Sequence, residues 1–311
     1  MKKIKNIAVI GGGLMGCGIA QVFARCPDIK VSIFDSLVSG DIILDRIVDN
    51  LQLLKNNDVI SEAEVAATIC RISTFDKLDM AVKDAGLVVE CVPENMELKQ
   101  NVLAGLEDLC SVDTIFATNT SVMSITEIAA KSVHKDRIVG THFWNPPYII
   151  PLVEVVKSEY TSDDVMDNVI CILKQVGKHP IRVNMDVPGF VANRLQHALW
   201  REAISIVERG IADAETVDEA VKMSFGLRLP VLAPLENADM VGTDLTLSIH
   251  SYILKHIENS TEPSPLLVEK VKKGELGFKS GKGFFDWDEE EIDQSRKKLT
   301  EHLIKVIHKK A

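Results

Sequence analysis

The run Gly11-Gly12-Gly13-Leu14-Met15-Gly16 constrains this chain more than any other segment. It follows an apolar stretch at residues 5–10 and opens a helical pattern at 15–24. In that setting G-x-G-x-x-G marks a strand–turn–helix unit. Gly11 permits the tight turn, Gly13 lets the backbone approach a pyrophosphate, and Gly16 lets helix and strand pack closely. Gly12, Leu14 and Met15 complete a helix N-terminus whose free amides favour an anion. A second strand pattern, 31–35, closes on Asp35, nineteen residues after Gly16. An acid there meets ribose hydroxyls and repels a 2′-phosphate. No arginine occurs between Asp35 and Arg46. Residues 5–35 therefore predict a βαβ unit that takes NAD rather than NADP.

The rest of the chain extends this reading. Further strand patterns fall at 87–91, 114–118, 137–142, 152–156 and 180–183, with helical ones at 44–54, 97–109, 124–130 and 162–176. The early strands are continuous apolar runs, as in parallel strands covered on both faces. The fold class is α/β: a Rossmann-type doubly wound sheet followed by an all-α C-terminal domain. After Asp186-Val187-Pro188-Gly189 the pattern turns helical. The boundary is set there, giving an NAD-binding domain at 1–187 and a helical domain at 188–311. A long helix is expected over 190–209, closed by Gly210, and Asp213 is placed to cap the next one. The tail, 289–310, reads as an amphipathic helix with Ile292, Leu299, Leu303, Val306 and Ile307 on one face.

Composition narrows the partners. At 311 residues the chain exceeds the usual limit of a single core. A net charge of −10 argues against a broad basic face for nucleic acid or an anionic membrane. No apolar run approaches the ~20 residues of a membrane span, and the short N-terminal run lacks a cleavage site. The six cysteines form no CxxC pair, and most lie in apolar stretches as buried free thiols would. A cytoplasmic protein is expected. The eight histidines form no ligand-spaced cluster, so no metal is expected.

Chemistry in an open α/β sheet sits beyond the carboxyl ends of the strands. Asn119-Thr120-Ser121 follows one strand pattern and His142 closes another. Oxidising a secondary alcohol needs a base for the hydroxyl proton, a task that suits histidine. Glu154 stands in the otherwise apolar Leu-Val-Glu-Val-Val and needs a partner; His142 is the nearest in sequence. Such a pair would orient the imidazole and stabilise its protonated form. Ser121 taken alone reads more readily as a cap for the helix at 124–130.

These residues fall in a longer pattern: GGGLMG, VPEN, ATNTS, HFWNPP, LVEVV, DVPGFVANR, PLENADMVG and KSGKGFF, over residues 7–287. The pattern resembles the L-3-hydroxyacyl-CoA dehydrogenases, including 3-hydroxybutyryl-CoA dehydrogenases. The resemblance implies a homodimer formed mainly through the helical domain. It makes His142 the general base, Glu154 its orienting carboxylate, and Ser121 and Asn193 the substrate-positioning residues. Glu94, Lys99 and Asn145 line the NAD site on this reading, and Lys279 closes over the cofactor.

Two segments depart from the family. Its CoA-binding serine and lysine fall at or near Asn50 and Asn57, among Asp41, Asp45, Asp49 and Asp58, with only Arg46 and Lys55 as cations. Arg228, in Gly226-Leu227-Arg228-Leu229-Pro230, resembles an arginine of the λ-crystallin, gulonate and carnitine dehydrogenase branch. It reads either as a partner for a substrate carboxylate or as a surface residue. Three readings stay open. The first is NAD-linked oxidation of a 3-hydroxyacyl-CoA. The others are the same chemistry on a free 3-hydroxy acid, and a non-enzymatic NAD-binding protein of the λ-crystallin kind.

Overall fold

A computed structural model describes residues 4–308. The chain forms two compact units: one holds the chain up to Asn193 and again from Lys298, the other runs from Arg194 to Lys297.

The first unit is built on one sheet. Its strands are β1 (Asn6–Ile10), β2 (Lys30–Phe34), β3 (Ile72–Phe75), β4 (Leu87–Glu90), β5 (Ile115–Thr118), β6 (Ile138–Phe143), β7 (Leu152–Val156) and β8 (His179–Val183). They lie in the order β3-β2-β1-β4-β5-β6-β7-β8, so the crossover direction reverses between β1 and β4. Every pairing is parallel except β6 with β7. Antiparallel neighbours can be joined by a short loop, and residues 144–151 are that loop. It contains a cis Asn145–Pro146 bond.

Helices cover both faces. They are α1 (Leu14–Ala24), α2 (Gly40–Asn56), α3 (Glu62–Ile69), α4 (Leu78–Val82), α5 (Met96–Glu107), α6 (Ile125–Ile128) and α7 (Asp163–Gln175). Successive strand residues point to opposite sides, which explains the apolar runs. Ile7, Val9, Ile33, Val89 and Ala117 join the core that takes in α1, α2 and α7. Ala8, Ile10, Val88 and Phe116 join the one that takes in α5 and α6. On α2, Ile43, Ile47, Leu51 and Leu54 return at helical spacing and are fully buried, each contributing about 1.5–3 kcal/mol.

The expected elements are present, with ends shifted by up to four residues. The sequence reading missed β3, α3 and the five-residue α4. β3 is a four-residue edge strand with Ser73 and Thr74 in its middle, too short and polar for a clear period. α3 did carry a signal: Ser61 and Glu64 form a capping box.

The remaining helices are α8 (Ala192–Glu208), α9 (Ala214–Lys222), α10 (Phe225–Arg228), α11 (Pro234–Val241), α12 (Thr243–Ile253), α13 (Pro265–Lys272) and α14 (Glu289–His308). Gly210 has φ 66° after α8, and the Asp213 carboxylate accepts from the Thr216 amide at the start of α9. The expected apolar face of α14 is corrected in part. Ile292 and Ile304 are buried and Leu303 and Ile307 partly so, whereas Leu299 and Val306 are exposed. The expected end at residue 310 lies outside the described residues. The cysteines also differ from expectation: all six are free, but only Cys17 is fully buried, and Cys70 and Cys171 are exposed.

Candidate active site

The glycine run forms the turn between β1 and α1. Gly11 has φ +111°, and a Cβ on it would stand 2.6 Å from the Cys91 carbonyl oxygen. A Cβ on Gly16 would meet the Gly11 carbonyl oxygen at 1.8 Å, so the helix can approach only without one. Around Gly13 the space is open, with no protein atom within 4 Å of a built Cβ. The N-cap of α1 is Gly13 itself, with no capping side chain and no acid in the first turn. Free helix amides, an open approach at Gly13 and no acid in the first turn of α1 fit a dinucleotide pyrophosphate.

Asp35 follows β2 directly. Its Oδ2 accepts from the Gly12 amide at 2.6 Å, and Oδ1 from the amides of Leu37 and Val38 at 2.7 and 2.9 Å. Burial alone would raise its pKa, but these three amides and the Arg46 guanidinium hold it below the ordinary carboxylate value. Arg46, the first arginine after Asp35 in sequence, is thus also its neighbour in space. Arg46 reaches back from α2 and donates to the Gly12 carbonyl at 2.7 Å.

Beyond the ends of β4 and β5 lies a second polar group. Lys99, fully buried on α5, donates to both Glu90 oxygens (2.9 and 3.2 Å) and to the Val92 carbonyl (3.1 Å). Thr118 donates to Glu90 at 2.6 Å. Glu94 accepts from the Thr120 hydroxyl and from the Ser121 amide, the latter at 2.7 Å, and its side chain is 42% exposed. Of Glu94 and Lys99, both of which the resemblance places against the cofactor, Glu94 has the accessible side chain. Lys99 supports the site from beneath. The Asn119 side chain accepts from the Phe143 amide at 3.0 Å and ties the end of β5 to that of β6.

Across the one antiparallel pairing, His142 stands directly opposite Glu154. His142 Nδ1 bonds Glu154 Oε2 at 2.7 Å, with both residues buried. Glu154 Oε1 accepts from the amides of Val191 and Ala192 at 2.9 and 3.0 Å. Burial alone would raise the Glu154 pKa, but the bond to His142 and these amides keep it below the usual value. The turn before α8 delivers those amides. Gly189 and Phe190 are consecutive positive-φ residues (76° and 51°), and the Phe190 ring packs on His142 at 5.7 Å. Three residues after Phe190, Asn193 Nδ2 donates to the Ser121 carbonyl at 2.9 Å. With the carboxylate on Nδ1, Nε2 is the imidazole nitrogen able to take a proton.

The structure thus gathers Ser121 beyond β5, His142 near the end of β6, Glu154 within β7 and Asn193 in the first turn of α8. Asn145 follows β6 and is exposed. Arg228, at the end of α10, and Lys279 both belong to the unit Arg194–Lys297 and are exposed there. Among the described residues no group of three His, Cys, Asp or Glu side chains is placed to hold a metal ion. Glu90, Thr118, Trp144 and Phe190 were not picked out from the sequence. Glu90 carried the same signal as Glu154, an acid in an apolar strand, and its partner is nine residues away.

Comparison with known proteins decides the family. Residues 6–187 match the NAD-binding domain of 3-hydroxyacyl-CoA dehydrogenase, and residues 189–287 match its C-terminal domain. The chain belongs to the 3-hydroxyacyl-CoA dehydrogenase family. Its members are NAD-dependent oxidoreductases acting on CH–OH groups, and NAD is the cofactor that the glycine turn and Asp35 fit. A probable 3-hydroxybutyryl-CoA dehydrogenase of Bacillus subtilis is 38% identical over 289 residues, covering 92% of this chain and 99% of its own. A 5-formyl-3-hydroxy-2-methylpyridine 4-carboxylate 5-dehydrogenase of Mesorhizobium japonicum is 34% identical over 304 residues, covering 97% of each. A crystal structure of an enzyme of that activity, described as an NAD+ dependent dismutase, superposes with a TM-score of 0.90 at 33% identity. It covers 98% of this chain and 97% of its own.

Proposed function

We propose that this chain is an NAD-dependent dehydrogenase that oxidises a hydroxyl to a carbonyl on a small substrate with a free carboxylate, using His142 as base. The reaction rests on the His142–Glu154 pair. Ser121 and Asn193 hold the substrate oxygen, and His142 Nε2 takes the hydroxyl proton. Glu154 keeps the imidazole in the Nδ1–H tautomer and stabilises the imidazolium that forms. Bound NAD supplies the hydride acceptor. Buried His142, under Trp144 and Phe190, is shielded from bulk water, which strengthens its bond to Glu154.

One observation carries the choice of a free carboxylate: the α2–α3 hairpin offers only two cations to CoA phosphates, and each already has a partner. Arg46 is bound to the Gly12 carbonyl, Lys55 is paired with Glu62, and the Asn57 amide donates to the Leu53 carbonyl. The full-length likeness to a pyridine carboxylate dehydrogenase supports this reading. Arg228 is the candidate partner for the carboxylate. A 3-hydroxyacyl-CoA substrate is the second reading, favoured by the match to the B. subtilis protein. We also propose a cytoplasmic homodimer.

NADH absorbance with 3-hydroxybutyryl-CoA, 3-hydroxybutyrate, carnitine, gulonate and a hydroxymethylpyridine carboxylate separates the two. A free acid is expected to be turned over with kcat/KM at least tenfold above the CoA ester, and Arg228→Ala to raise its KM. Preference for the CoA ester with a harmless Arg228→Ala overturns the substrate assignment. Activity that survives His142→Ala overturns the mechanism.

A further inference from the structure

Trp144 lies just beyond β6, two residues after His142 and so on the same side of the chain. In the register of β6 and β7 it is a diagonal neighbour of Glu154. Its indole Nε1–H donates to Glu154 Oε2 at 3.4 Å, the oxygen that holds His142 Nδ1. Its ring packs on the imidazole at 5.4 Å, tilted by 50°. Glu154 thus receives four donors, two on each oxygen. The two amides and His142 suffice to hold the carboxylate in place. The fourth donor competes with the imidazole for one oxygen.

We infer that Trp144 is a positioning residue that tunes the base: its indole N–H weakens the hold of Glu154 on the protonated imidazole. This rests on the reading of His142 as the base. A donor on Oε2 draws off negative charge that would otherwise stabilise the imidazolium, so His142 gives up its proton more readily. The ring contact acts the other way, since an aromatic face favours a cation. Trp144→Phe deletes the N–H and keeps a ring, so the sign of its effect tells the two apart. The other groups against His142 do not blur the outcome. Glu154 is the charged side chain bonded to it, and Phe190, the other ring packed on it, is apolar.

The test is the pH dependence of kcat/KM, in the oxidation direction with the best substrate found and in the reverse direction. A hydrogen bond of this kind is expected to move the His142 midpoint upward by about half a unit in Trp144→Phe. Below the midpoint, oxidation then falls about threefold relative to wild type. Above it, the reverse reaction gains by a similar factor. Titration of the His142 imidazole by NMR in the cofactor-free protein gives the same shift without turnover, so a poorly active variant still reports. Glu154→Gln should lower the midpoint by more than a unit and abolish most of the response to Trp144→Phe. A midpoint that responds to Glu154→Gln but stays fixed or falls in Trp144→Phe overturns the role of Trp144 alone. A profile indifferent to Glu154→Gln overturns the base assignment together with it.

Discussion

Glu154 shows how a charge can be kept inside a protein without a cation permanently beside it. It is fully buried in β7, and four N–H groups supply what water would have supplied. Such bonds to a charged group are worth about 1.5–3 kcal/mol each when lost, which makes the site sensitive to any neutral replacement. The direction of the Glu154 shift fixes a pH dependence. Because its folded-state value lies below the ordinary one, its contribution is complete above about pH 4.3. It is lost as the pH falls through the depressed folded value. Glu154→Gln is therefore expected to cost about 2–4 kcal/mol near neutrality and progressively less toward pH 3. Scanning calorimetry from pH 3 to 7 would show the melting curves of wild type and variant converging; a constant gap sinks the assignment of a charged, amide-bound Glu154.

At the scale of elements, the turn between β1 and α1 separates two uses of glycine that a sequence motif treats alike. Gly16 faces its own turn, so Gly16→Ala must push the Gly11 carbonyl or the helix aside, at about 1–3 kcal/mol. Gly13 faces open space, so Gly13→Ala is expected to leave stability within ~0.5 kcal/mol while raising the Kd for NAD at least tenfold. Thermal melts beside NAD titration by fluorescence test both. A Gly13→Ala protein that binds NAD normally would show that the pyrophosphate does not approach there. The sheet and this turn were legible in the sequence because apolar runs, glycines and a terminal acid are local signals. His142 and Glu154 were legible because an acid in an apolar strand demands a partner. Glu90–Lys99 obeyed the same rule and was passed over, since its lysine lies on a helix face that looks solvent-facing by pattern. Arg46 beside Asp35 could not be read from spacing. It depends on how α2 folds back over the glycine turn, a tertiary fact. Phe190 was hidden for a related reason, because only the left-handed turn at Gly189 and Phe190 aims its ring at His142.

At the scale of the whole molecule, the unit Arg194–Lys297 is short of a core of its own. No residue of α9 to α13 is buried. Leu245, Leu247, Ile249, Tyr252 and Ile253 on α12 are all exposed, as are Leu195, Leu199 and Trp200 on α8. A monomer rarely leaves apolar surface beyond about 300–600 Å² in one patch, and standard interfaces cover about 800 Å² per partner. These helices therefore need a covering surface, and a second copy of the chain is the partner our reading assigns. Two-fold symmetry suits it, because each copy presents the same patch to the other. Sedimentation at micromolar concentration is expected to give twice the mass of the chain. Leu247→Glu places a charge in the patch and should shift the protein toward monomer while lowering its melting temperature in a concentration-dependent way. His142 and Glu154 lie in the other unit, and their pairing needs no second copy. The monomeric variant should thus retain the His142 titration even where it loses stability. Monomeric wild type at high concentration would mean that the exposed helices serve some other contact and that the homodimer must be abandoned.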